Sequence, residues 1–332
     1  MQITRRNFAA ATIGSLSVVS LPLTRAFGAA HINSKINGVQ VGAITYSFNR
    51  IASPDPDAII RAYTEIGLGE AELMSNHCEA LAGAPQLPAF ARPNRAPGAP
   101  TGAGRPQLNP EQQAERQAAQ DQLREWRRTV SASTWKTVAN KFSDAGIDLA
   151  LLCYNMQDTM KEEDIEYGFT MAEGLGVKSM TTSTTLTMAK RIAPLAEKHK
   201  ITVGYHGHDA TNDPNQTATL ESYDILMSYG KYNAINLDIG HFTAAGYDAV
   251  AFIKQHHGKI TNLHLKDRKK DHGPNVAVWG TGDTPMKPVL QLMKKEKYPF
   301  PANMELEYQI PPDSNIIAEG KKCFAYVKEC LA

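Results

Sequence analysis

The constraint that narrows the fold most is an alternation of short apolar runs with amphipathic helical tracts. It is most regular past residue 145. Apolar runs of strand length stand at 147–155, 177–184, 201–208, 234–238, 260–267 and 302–308, with 3.6-period tracts between and after them at 162–176, 186–200, 220–230, 247–258, 285–297 and 315–331. Upstream, 39–48 and 70–75 read as two more strands, followed by helical patterns over 55–67 and 111–145. Eight strand–helix units demand parallel strands, because a helix between two strands carries the chain back to the same end. The expected fold class is therefore α/β, a closed (β/α)8 TIM barrel in a single domain. A doubly wound sheet would need a glycine-rich turn after the first strand, where residues 46–50 read Tyr-Ser-Phe-Asn-Arg.

In such a barrel the C-terminal ends of all strands share one mouth. Four of the runs break off into titratable residues. The fifth ends in His206 and His208, the sixth in Asp238 and then His241, the seventh in His264, Lys266 and Asp267, and the eighth in Glu305 and Glu307. The second contributes Glu72. Imidazoles and carboxylates converging in this way suit a divalent ion such as Mn, Co, Zn or Fe. Strand periodicity puts His206 with His208, His264 with Lys266, and Glu305 with Glu307 on shared faces. One member of each pair is expected at the metal and the other at a substrate. Periodicity does not choose between Glu305 and Glu307 as the ligand.

The pieces GYHGHD, NLDIGH, NLHLKD and MELEY, in this order on the late strands, resemble the xylose-isomerase-like (AP endonuclease family 2) superfamily. The resemblance spans the chain from the first strand to the last helix. It implies one metal held from the last four strands, with Asp238, His264 and Glu305 matching three of the ligands and His241 matching a histidine beside the substrate. The chain departs from the epimerases of this group at the fifth strand, where His206 stands in place of a glutamate. Metal ligands His206, Asp238, His264 and Glu305 are thus expected. Glu305, His206 and His241 are the expected proton-transfer groups, and Glu72, His208, Lys266 and Glu307 the substrate contacts.

The expected activity is that of a metal-dependent carbohydrate isomerase or epimerase, taking a proton beside a sugar carbonyl through a metal-bound enediolate. The alternative is a lyase or dehydratase acting on oxidised sugars, 3-keto-glycosides or inososes, by β-elimination. A reading of another class is a periplasmic sugar-binding protein. A histidine at the fifth strand leaves proton transfer intact, since imidazole works as acid or base near neutral pH.

Residues 1–30 form a separate unit. Arg5-Arg6, a modestly apolar stretch over 9–23 and small residues before 30 read as a twin-arginine export signal, which predicts a periplasmic protein. The stretch is about 15 residues, short of the roughly 20 that span a bilayer. The remaining 31–332 form the barrel, interrupted by a Pro/Ala/Gly-rich loop at about 80–112. The export signal holds Arg5, Arg6 and Arg25 and no acid, so 35 basic residues fall to 32 against 34 acidic, a net charge of −2. That balance argues against a nucleic-acid partner, and a mean hydropathy of −0.35 suits a soluble globule; the partner that the resemblance implies is a small sugar or polyol. A homo-oligomer is compatible with the sequence. The four cysteines, with no Cys-x-x-Cys among them, read as small hydrophobes rather than disulfide partners.

Overall fold

The structure, a computed structural model, describes residues 30–52, 55–88 and 108–332. Residues 1–29 and 89–107, which hold the expected export signal and most of the Pro/Ala/Gly-rich tract, lie outside the described residues. Among the described residues no helix is long and apolar enough to cross a membrane.

A short β1 (Lys35–Ile36) pairs antiparallel with β2 (Val39–Ile44). From β2 the barrel runs through β3 (Glu70–Met74), β4 (Asp148–Cys153), β5 (Ser179–Thr182), β6 (Thr202–His206), β7 (Asn233–Asp238), β8 (Ile260–Leu265) and β9 (Ala302–Met304). Every neighbour is parallel, and β9 pairs back with β2 through Val41↔Ala302 and Ala43↔Met304, which closes the ring. The protein is a (β/α)8 TIM barrel. All eight predicted strands fall where the apolar runs placed them.

The outer layer comprises α1 (Ala58–Ile66), α2 (Ser75–Leu81), α3 (Pro110–Thr129), α4 (Ala132–Asp144), α5 (Glu162–Leu175), α6 (Leu186–His199), α7 (Leu220–Ser228), α8 (Ile239–Ala244), α9 (Ala249–His256), α10 (Met286–Glu296) and α11 (Ile316–Leu331). The long helices other than α3 turn an apolar stripe to the strands. In α6 that stripe is Met188, Ala189, Ile192, Ala193 and Ala196, at the spacing of one helical face.

The predicted helix over 111–145 is two helices. Val130 and Ser131 adopt extended backbone between α3 and α4. The reason is burial: α3 buries none of its residues, whereas α4 sinks Trp135, Val138 and Phe142 into the core, and one straight rod could not do both. Arg127, near the end of α3, is held by a bidentate pair with the buried Glu79 carboxylate of α2, at 2.7 and 3.0 Å. Cys78, Cys153, Cys323 and Cys330 are all buried and unpaired.

Candidate functional site

The residues of the NLDIGH stretch explain one another. Asp238 ends β7 and caps α8, its Oδ1 accepting from the backbone N–H of His241 at 2.7 Å. The motif is thus a helix N-cap whose second oxygen is spare. Asp238 Oδ2 is buried and accepts no hydrogen bond; Lys266 Nζ stands 3.0 Å away but outside hydrogen-bond geometry. Gly240 is required because a Cβ there would lie 2.6 Å from the carbonyl oxygen of Lys266, the residue after β8. Gly207, between His206 at the end of β6 and His208 beyond it, meets the Tyr223 hydroxyl in the same way, at 1.9 Å from an added Cβ.

Four ends of adjacent strands converge on Asp238. His206, Asp238, His264 and Glu305 each offer a donor atom, all within 4.8 Å of one another and all four buried. Two imidazole nitrogens and two carboxylate oxygens form a donor set that suits a transition-metal or zinc ion. His264 is gripped from both sides, Nε2 at 2.7 Å from Glu72 and Nδ1 at 2.9 Å from Glu305. Burial alone would lower its pKa, but Glu72 and Glu305 carry it well above the ordinary value. His206 lies the other way: burial first, then the neighbouring His208 and His264, hold it well below the usual range and therefore neutral.

Lys266 stands at the outer side of this group, its Nζ 3.0 Å from Asp238, 3.1 Å from Glu305 and 2.5 Å from Glu307. Burial opposes its charge, but these three carboxylates more than restore it. The same lysine, with His264, keeps Glu305 well below the usual carboxylate range although burial pushes the other way. Counted by formal charge, Glu72, Asp238, Glu305 and Glu307 stand against Lys266 and a doubly held His264, four against two. The group is two units negative, the complement of a divalent cation. With the unbonded Asp238 Oδ2, this charge fits an ion at the tetrad.

A second group of rings lines the mouth beside it. His206, His208 and His241 also bring one nitrogen each within 4.8 Å of one another. The His208 ring stacks edge-on to His206 with centroids 4.7 Å apart, and burial, followed by His241, pushes its pKa down to about 4. His241 is braced at Nδ1 by Asp209 at 2.8 Å and by Arg268, which leaves Nε2 for the site.

The sequence expectations are met unevenly by this geometry. His206, Asp238, His264 and Glu305 come together; of the two glutamates, Glu305 enters the tetrad, while Glu307 stands outside it, more exposed, and accepts from Lys266. His208 and His241 lie at the mouth. Two expected substrate contacts are placed otherwise. Glu72 is 0% exposed and lies beneath His264, so it meets protein groups only. Lys266 is spent among carboxylates.

Sequence reading missed the brace of Asp209 and Arg268, whose guanidinium forks onto both carboxylate oxygens at 2.8 and 3.1 Å. It also missed Asn236, Asn262 and Asn303. For these a signal existed: each stands two residues before Asp238, His264 or Glu305, on the same strand face.

A parallel barrel with a buried tetrad of histidine and carboxylate groups at its C-terminal mouth defines a class, the TIM barrels with candidate metal ligands at their strand ends. Comparison with known proteins agrees. Residues 183–326 match the family described as xylose isomerase-like TIM barrel, a span that contains the whole tetrad. Inosose dehydratases from Clostridium perfringens and Clostridium tetani are both 26% identical to this chain, the first over 42% and the second over 43% of it. The chain spans about half the length of the curated relatives it matches, 51% and 52%.

Among solved structures, a probable 3-DHS dehydratase involved in petrobactin synthesis from Bacillus anthracis superposes with a TM-score of 0.57 at 14% identity, covering 87% of this chain and 98% of that one. A sugar phosphate isomerase/epimerase from Parabacteroides distasonis does so at 0.56 and 15%, covering 91% and 97%. At such identities the structures speak for the fold alone. The similarity to the xylose isomerase-like TIM barrel family thus rests on residues 183–326.

Proposed function

We propose that this protein is a metal-dependent lyase or dehydratase acting on an oxidised sugar or polyol, a keto-inositol or 3-keto-glycoside. The observation that carries the reading is the buried tetrad with its unbonded Asp238 oxygen. His206, Asp238, His264 and Glu305 would hold the ion, which when bound supplies Lewis-acid polarisation of a substrate carbonyl.

The chain's own groups divide the remaining work. Glu305 uses Oε2 for His264 and Lys266, leaving Oε1 to take the proton from the carbon beside the carbonyl. His241, oriented by Asp209 through Nδ1, gives a proton from Nε2 to the departing β-hydroxyl or glycosidic oxygen. The C–H electron pair becomes the new double bond, and the leaving group departs as water or alcohol. His208 hydrogen-bonds the polyol at the mouth. Lys266 holds the Asp238 and Glu305 carboxylates in place from the outer side.

Two points favour elimination over isomerisation. The curated relatives are dehydratases, and the mouth holds imidazoles beyond the tetrad that can serve a leaving group. An isomerase or epimerase shares the first proton abstraction and parts from the lyase at the second step.

One experiment separates the readings. The protein loaded with Mn, Co or Zn is incubated with a keto-inositol and with a 3-keto-glucoside in deuterium oxide, and the products are followed by mass spectrometry and NMR. Loss of water or of the aglycone supports the lyase. An isobaric product carrying deuterium beside the carbonyl would move the assignment to an isomerase or epimerase. Tight binding with neither outcome would leave a sugar-binding protein. Export to the periplasm belongs to the same proposal, and fractionation of cells producing the full chain tests it.

A further inference from the structure

The layer of side chains directly below the tetrad is polar, and its polar atoms converge on one residue. Glu72 Oε1 accepts from the Thr181 hydroxyl and from Asn236 Nδ2 at 3.4 Å. Its Oε2 accepts from Asn262 Nδ2 at 2.8 Å and Asn303 Nδ2 at 3.3 Å, and lies 2.7 Å from His264 Nε2. The side chain is fully buried, so these are the groups that hold it.

Four donors, hydroxyl and amide, leave Glu72 no role except acceptor, and Asn236 Nδ2, which also lies 3.1 Å from His264 Nε2, is then a second donor beside that nitrogen rather than its partner. The neighbouring imidazole nitrogen must then be the N–H form. With Nε2 of His264 committed downward, Nδ1 is the atom that faces the tetrad, 2.9 Å from Glu305. The four donors also fix the carboxylate plane, and with it the plane of the ring above.

We infer that Glu72 is a positioning residue for the metal centre: it fixes the tautomer and ring plane of His264 so that Nδ1 is presented as the ligand atom. The inference rests on the reading of the tetrad as a metal site. Partners of this kind behind a ligand histidine influence metal affinity by about 10–100-fold. Glu72→Gln tests it with almost no change of volume, because an amide N–H2 would have to face groups that themselves donate.

The probe is zinc, with affinity measured by competition against a chromophoric chelator. Glu72→Gln is expected to weaken zinc binding by about 10–100-fold while the protein still melts cooperatively. A second measurement uses the unaltered protein and so does not depend on the variant folding. Nitrogen-15 NMR of its zinc-loaded imidazoles, with His264 assigned through His264→Gln, is expected to show the proton on Nε2 and zinc on Nδ1. A folded Glu72→Gln protein with unaltered zinc affinity, or a His264 proton found on Nδ1, overturns the inference while leaving the metal site standing. An unaltered protein that takes up no zinc overturns both, and does so at the first titration.

Discussion

The two halves of the barrel are made from the same unit and finish it differently. Strands β2 to β5 end on Ile44, Met74, Cys153 and Thr182, whereas β6 and β7 end on His206 and Asp238, with His264 one residue inside the end of β8 and Glu305 one beyond β9. The first half lends the site support from below, through Glu72 and Thr181, and places no donor in the tetrad. Neighbouring strands bring four candidate donor atoms within 4.8 Å of one another, which tips scattered around the ring could not do. The contrast teaches that chemistry here is confined to one arc of the mouth, and that the rest of the ring is a packed frame.

Breaking the arc should produce the largest effect on the site. Asp238→Asn keeps an oxygen to cap α8 but replaces the spare carboxylate oxygen with an amide. Metal affinity, read by chelator competition, is expected to fall more than about 100-fold with little change in the melting temperature. Equal losses of affinity and melting temperature would mean that the residue serves the helix rather than the site.

Acidity should act on the same arc more gradually. In the metal-free protein His264 has a raised pKa, so a proton occupies the ring until the pH rises past that raised value. Metal must displace this proton, and affinity is expected to climb about tenfold per pH unit below it and to level off above. Proton release on metal addition, measured by calorimetry in buffers of different ionisation enthalpy, checks the sign. Affinity that does not change with pH would show that His264 does not ligate.

The frame should answer in the opposite way. Trp135, buried on α4, packs against Gly174 and edge-on to Tyr167 with centroids 6.0 Å apart. Trp135→Ala is expected to cost about 3–5 kcal/mol of stability, seen in denaturant unfolding, yet to leave the metal affinity of the folded protein unchanged. A large loss of affinity in this variant would erase the division between arc and frame.

Much of this was legible in the sequence, for a physical reason. Parallel strands buried on both faces are apolar throughout, so a run such as Ala-Ile-Asn-Leu that stops at Asp238 marks its own end. Closing eight such units then brings the ends together without any further information. What stayed hidden depends on direction and distance in space. Glu72 lies in the middle of β3, two residues short of its end, and only the cage of asparagines shows that it points into the barrel rather than out of the mouth. Asp209 and Arg268 lie 59 residues apart on two loops, where no periodicity links them. The break at Val130 was missed because helical propensity continues through it, while burial does not.

Lys266 carries a last consequence. An ammonium placed among Asp238, Glu305 and Glu307 is a built-in counter-ion, tethered to the chain it neutralises. Without it, three carboxylates crowded in a dry place would repel one another until an ion arrived. With it, the three carboxylates are held side by side by a charge that belongs to the chain itself, so their closeness does not depend on anything the chain must first acquire.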